Sequence, residues 1–127
     1  MIGKSAFYKC SNLVSAALPN GLEKVELSAF EESGLESVEF PASLRTIAQA
    51  AFTKCKSLKT VKFSEGLEVL GTDDDKTEDG VFANSALEYV ELPATLKRIK
   101  YGAFKNCTNL KNITLPDSLE CIEEECF

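Results

Sequence analysis

Six phenylalanines, Phe7, Phe30, Phe52, Phe82, Phe104 and Phe127, recur along the chain at separations of 23, 22, 30, 22 and 23 residues. Around each runs one apolar skeleton, clearest in Leu110-x-x-Ile113-x-Leu115-Pro116-x-x-Leu119-x-x-Ile122-x-x-x-Cys126-Phe127. A unit of this length cannot bury its apolar face alone and must stack on its neighbours, so the pattern dictates a solenoid. Solenoids offer extended surfaces, which points to binding rather than to catalysis.

Stacking the units produces columns. Leading leucines Leu13, Leu35, Leu58, Leu87 and Leu110 are followed by Ala16, Val38, Val61, Val90 and Ile113, then by Leu18, Phe40, Phe63, Leu92 and Leu115. The last two columns have the two-residue period of a short strand with one buried face, so five parallel strands are expected. Proline follows in four of the five units (Pro19, Pro41, Pro93, Pro116) and ends the strand, because it cannot donate to a continuing ladder. The return path carries Leu22, Leu44, Leu67, Leu96 and Leu119, then Val25, Ile47, Leu70, Ile99 and Ile122. A small residue precedes each phenylalanine, and the Ala103 to Cys107 spacing suits one turn of α- or 3₁₀-helix. All six rings are expected to be largely buried in one internal stack. Residues 1–127 thus read as a single domain: five repeats, the start of a sixth, and an acidic insertion at 71–80.

Units one, three and five carry a cysteine three residues after phenylalanine (Cys10, Cys55, Cys107), where units two and four carry Ser33 and Ser85. Charge alternates too. The exposed strand position runs Ala17, Glu39, Lys62, Glu91, Thr114, and the column after the leading leucine runs Val14, Glu36, Lys59, Glu88, Lys111. A third column runs Glu23, Arg45, Glu68, Lys97, Glu120. Neighbouring strands lie about 4.7–4.9 Å apart, so like charges would repel and opposite ones support the stack.

These columns resemble the BspA-like class of leucine-rich repeats, whose signature is close to L-x-x-[VI]-x-[LF]-P-x-x-L-x-x-I-x-x-x-A-F-x-x-C. The resemblance spans essentially the whole chain. It implies an α/β repeat solenoid: a right-handed arc with a short parallel sheet on its concave face and short helical turns opposite. It also implies display on a cell surface or secretion, and adhesion to proteins or other cells.

Composition narrows the function further. Fourteen Lys+Arg against 20 Asp+Glu give a net charge of −6, which disfavours nucleic acid and anionic membranes. No apolar run approaches the roughly 18 residues of a membrane span. No signal peptide is legible, so the protein is either cytoplasmic or part of a longer secreted chain. Histidine is absent, which removes Ser-His-Asp and Cys-His catalysis and histidine metal sites. No enzyme activity and no cofactor are expected.

The chemistry-bearing residues favour structural readings. Cys10, Cys55 and Cys107 share a column but sit in alternate units, about 10 Å apart. A disulfide needs Cα atoms within about 7 Å, so they are expected as buried, inert thiols. Cys126 takes the small slot before Phe127, Cys121 is expected to be exposed, and no C-x-x-C motif supports zinc. The insertion Gly71 to Gly80 holds five carboxylates in seven positions, but Glu78 stands where a calcium loop begun at Asp73 needs glycine. A solvated, mobile loop without tight calcium binding is expected. Glu39 and Glu91, about 10 Å apart with Lys62 between, lie slightly beyond the roughly 6.5–9.5 Å of an inverting glycosidase pair.

The remaining reading is recognition of a protein or glycan through the concave sheet. Its candidate contacts are Ser37, Glu39, Thr60, Lys62, Tyr89, Glu91 and Asn112, with Tyr89 the one aromatic on that face. The alternative is a structural spacer or assembly unit within a longer array or scaffold. A core column begins at Ile2 and another stops at Phe127, so the expectation is either that the natural protein continues beyond Phe127 or that the isolated chain associates through its ends, as open filaments or as a two-fold dimer.

Overall fold

In L-x-x-V-x-L segments the alternation of burial selects extended backbone, and that is the conformation adopted in the computed structural model, which describes residues 1–73 and 77–127. The strands are β1 (Lys24–Val25), β2 (Ser37–Phe40), β3 (Thr46–Ile47), β4 (Thr60–Phe63), β5 (Val69–Leu70), β6 (Tyr89–Glu91), β7 (Arg98–Ile99), β8 (Asn112–Thr114) and β9 (Cys121–Ile122). β2, β4, β6 and β8 form a four-stranded parallel sheet in that order. Its register pairs Val38 with Val61, Val61 with Val90, and Val90 with Ile113, as the columns require. The short return-path strands make two further parallel ladders, β1–β3 and β5–β7–β9.

The sheet has four strands, not five. Residues 11–19 of the first unit adopt no strand; Glu36 N–H, just before β2, donates to the Val14 carbonyl at 3.1 Å, and Leu13, Ala16 and Leu18 pack against the core. Ala16 occupies the column that elsewhere holds valine or isoleucine, and alanine has weak strand propensity. This unit is also supported from one side only.

The phenylalanine stack is continuous. Consecutive ring centroids lie 5.0, 5.0, 5.4, 5.6 and 5.5 Å apart from Phe7 to Phe127, with interplanar angles of 9° to 23°. The 30-residue spacing between Phe52 and Phe82 leaves the stack unbroken. Phe40 meets Phe52 edge-on at 5.4 Å and joins the stack to the sheet. Burial of all six rings does not hold. The four inner rings are buried, whereas Phe7 is 37% and Phe127 58% exposed, because each end ring is covered on one side.

The turns around the phenylalanines are not helical; among the described residues the chain contains no helix. Instead, Phe7, Phe30, Phe52 and Phe104 are each bracketed by left-handed residues two positions before and two after, while Phe82 has one after it (Asn84) and Phe127 one before it (Glu125). Ser28 and Glu32 flank Phe30, Ala50 and Lys54 flank Phe52, and Gly102 and Asn106 flank Phe104, all with φ between 55° and 63°. A left-handed L-residue costs about 1–2 kcal/mol and breaks the i→i−4 ladder. What the turn gains is bonding between units. Phe52 N–H donates to the Val81 carbonyl (2.8 Å), and Lys54 N–H to the Ala83 carbonyl (2.9 Å). An α-turn would direct these amides inside their own unit.

Serine and cysteine interlock from unit to unit. The Cys55 thiol donates to the Phe30 carbonyl at 3.1 Å and lies 3.6 Å from Ser33 Oγ. Cys107 repeats this with the Phe82 carbonyl (3.2 Å) and Ser85 Oγ (3.4 Å). All five cysteines are free. Cys55, Cys107 and Cys126 are buried, and burial pushes each thiol's pKa up. Cys10, expected to be buried, is half-exposed because the first unit lacks a neighbour on one side. Cys121, expected to be exposed, is half-buried in β9 beside Arg98. A thiol-reactive dye on the native protein at pH 8 should therefore label two cysteines quickly and three slowly, with all five reacting after denaturation. Three or more fast thiols would contradict this packing.

Candidate functional site

Odd and even positions of β2, β4, β6 and β8 point to opposite sides, so every second residue must leave the core. That alternation places Ser37, Glu39, Thr60, Lys62, Tyr89, Glu91 and Asn112 together on the outer face of the sheet, all exposed. Strand pairing aligns them into two rows. Ser37, Thr60, Tyr89 and Asn112 form one; Glu39, Lys62, Glu91 and Thr114 form the other. Together they line a shallow depression of about 420 Å³, floored by Val38, Val61 and Val90.

The electrostatics of this face are those of a ladder. Lys62 lies between two glutamates in register and approaches Glu91 at 3.9 Å, a loose pair between two exposed side chains. Exposed pairs of this kind contribute at most about 1 kcal/mol. Glu39 and Glu91 lie two strands apart on either side of Lys62, so opposite charges alternate across the sheet.

Tyr89 is 46% exposed at the centre of the face. Lys111 stands over its ring, with Nζ 5.8 Å from the ring centroid and 2.8 Å from Glu88 Oε2. Hydrogen bonding to Lys111 holds the Glu88 carboxyl below the usual carboxylate range and raises the lysine pKa. Glu88, Lys111 and Thr114 were not among the residues singled out from sequence. Their signal was present in the alternating charge column and in the position two before proline, but an isolated column does not reveal which ring it supports.

The insertion sits elsewhere. Lys100, in the return-path column beside β7, is buried and bridges Asp73 (2.6 Å) and Glu123 (2.9 Å). Glu123 also accepts from the Tyr101 N–H at 3.0 Å, and Thr53 donates to the Gly80 carbonyl at 2.8 Å. Asp73 and Asp79 thus face lysines, Lys100 and Lys54, the latter at 3.9 Å. The expectation of a mobile loop falls largely on Asp74, Asp75 and Lys76, which lie outside the described residues. Among the described residues no group of three or more His, Cys, Asp or Glu converges as a metal site, and no helix is long and apolar enough to cross a membrane.

Short parallel strands stacked in register from unit to unit, with leucines inward and a polar outer row, define a leucine-rich-repeat solenoid. The chain belongs to the BspA type leucine rich repeat region family, whose model matches six copies over residues 1–73 and 75–127. It is similar to the crystal structure of a leucine-rich repeat protein from Bacteroides ovatus, with 30% sequence identity and a TM-score of 0.83 over 93% of this chain. The chain spans 29% of that protein's length. No curated protein matches the sequence.

Proposed function

We propose that the chain is a non-enzymatic recognition module that binds a protein partner through the outer face of its four-stranded sheet, centred on Tyr89. The observation that carries this reading is the in-register, exposed polar face with one braced tyrosine at its middle. A tyrosine held at low entropic cost among adaptable serine, threonine and asparagine side chains is the composition of a protein-binding surface. A glycan site would call for more aromatic platforms than one. The alternating charges of Glu39, Lys62 and Glu91 supply orientation and exclude like-patterned partners rather than adding much affinity. Display at the cell surface, with adhesion as its outcome, accords with the family resemblance.

The test is a panel of extracellular-matrix and cell-surface proteins, with a glycan array alongside, probed with wild type, Tyr89→Ala, Lys62→Glu and the remote control Lys54→Ala. Loss of a central tyrosine should weaken protein binding by at least roughly tenfold, corresponding to more than about 1.4 kcal/mol. Lys62→Glu should alter the salt dependence and Lys54→Ala should change nothing. Binding to glycans alone, or binding indifferent to Tyr89 and Lys62, would assign recognition to another chemistry or another surface.

A further inference from the structure

We propose that the cleft between residues 15–20 and β2 takes up an extended peptide segment of a partner protein as an added strand, with a lysine or arginine of that segment set beside Glu39. The site shares Ser37 and Glu39 with the face described above but does not depend on Tyr89.

The backbone carries the argument furthest. Between β4 and β6, Tyr89 N–H donates back to the Lys59 carbonyl at 3.2 Å. In a parallel strand alternate residues turn both backbone groups to the same side, so the outward-facing residues of each strand address the preceding unit. In β2 those residues are Ser37 and Glu39, whereas the Phe40 carbonyl faces the other way and accepts from Ser64 N–H at 3.0 Å. Across the cleft stand Ala16 and Leu18. The two walls are tied at one end by Glu36 N–H on the Val14 carbonyl (3.1 Å) and at the other by the Ser43 hydroxyl on the Leu22 carbonyl (2.8 Å). Between these ties, among the described residues, no hydrogen bond joins residues 15–20 to 37–41. The Ser37 carbonyl and both backbone groups of Glu39 thus offer an incoming strand an acceptor, a donor and an acceptor.

Space and shape agree with this edge. Between the ties lies a cleft of about 430 Å³, with Ala16, Leu18 and Phe40 on its apolar side and Ser15, Ala17 and Ser37 on its polar side. An added strand would present alternate side chains to these two sides. The opening follows from the unit's own residues. Ala16 stands in the column that elsewhere holds valine or isoleucine, and Ala17 in the column of Glu39, Lys62, Glu91 and Thr114.

Charge selects the occupant. Among the described residues Glu39 is the one charged group lining the cleft. Its in-register neighbour Lys62 approaches Glu91 instead, at 3.9 Å, and Ala17 on the other side supplies no cation. A lysine or arginine seated there continues the alternation of Glu39, Lys62 and Glu91 by one more row, where opposite charges support pairing and like charges oppose it.

The test titrates a short synthetic peptide of alternating threonine and valine, its central threonine replaced by lysine, glutamate or alanine, into isotope-labelled protein. Amide chemical shifts and hydrogen exchange are the readouts. The lysine peptide should shift the amides of Ala16, Leu18, Ser37 and Glu39 and slow exchange at Glu39. The glutamate peptide should bind roughly fivefold to tenfold more weakly, and Glu39→Lys should reverse that order. Ala16→Val restores a strand-forming residue, so it should close the cleft and weaken all three peptides while circular dichroism shows folded protein. Silence of these four amides at millimolar peptide, equal binding of the lysine and glutamate peptides, an order unchanged by Glu39→Lys, or full binding to Ala16→Val would each overturn the proposal. So would shifts centred on Tyr89, a result that leaves the tyrosine-centred surface standing and removes this one.

Discussion

Replacing Phe52 by alanine should destabilise the protein by about 3–5 kcal/mol and lower its melting temperature by more than about 10 °C. Phe52 is fully buried. It stacks on Phe30 at 5.0 Å and on Phe82 at 5.4 Å, and takes the edge of Phe40 at 5.4 Å. Its removal opens a cavity in the centre of the ring column, where neighbours held by backbone bonds between units cannot collapse to fill it. The end ring provides the comparison: Phe127→Ala, at 58% exposure, should cost about 1 kcal/mol or less. In a solenoid the loss also divides the stack in two, so unfolding of Phe52→Ala should broaden as the halves melt separately. Equal effects at the two positions, followed by chemical denaturation, would mean that the stack does not carry the core.

The second large effect is expected at a glycine. Gly80→Ala should cost about 3 kcal/mol, whereas Gly102→Ala, its neighbour in the same column, should cost about 1–2 kcal/mol. A Cβ on Gly80 would be driven into the backbone of Gly102 and Ala103, neither of which can yield without breaking bonds between units. At Gly102, with φ of 63°, a Cβ would meet nothing closer than 3.4 Å. Ser28 and Ala50 adopt nearly the same φ in that column, so a side chain there is already tolerated. The insertion explains the difference. It brings the chain back at Gly80 along a path that passes close over the next unit, so the residue closing the loop must lack a side chain. Thermal melts of both variants check the order, and a reversal would place the tight approach elsewhere.

Much of this architecture was legible because it is written in columns. Val38, Val61, Val90 and Ile113 pair in the register their sequence offsets demand, and the outward rows follow at once from alternation. What escaped was whatever a single column does not encode. The turn at each phenylalanine has the small-residue spacing of a helix, yet its backbone is set by bonds to the next unit, a tertiary effect on local conformation. Asn84, Asn106 and Gly102, residue types that accept positive φ, were the available signal. The missing first strand and the exposed end rings share another cause: periodicity describes an infinite array, and a finite one has two faces. At the candidate site, the position of Tyr89 was readable, but its support by Lys111 and Glu88 required knowing how long side chains lean across strands.

The alternation of Ser33 and Ser85 with the aligned cysteines bears on how such an array can change length over generations. Adjacent units are one strand spacing apart, about 4.8 Å, which is within crosslinking reach for two thiols in one column. The intervening serine holds each pair of aligned thiols two spacings apart and gives Cys55 and Cys107 a hydroxyl partner instead. Excision of a serine unit, or duplication of a cysteine unit, would therefore set cysteine beside cysteine and create an oxidisable pair inside the core, whereas excision of a cysteine unit or duplication of a serine unit would leave a serine hydroxyl facing another serine. Gain or loss of two adjacent units together preserves the alternation of cysteine and serine. Recombination in this lineage should accordingly be selected in doublets, with the two-unit block rather than the single repeat as the heritable module.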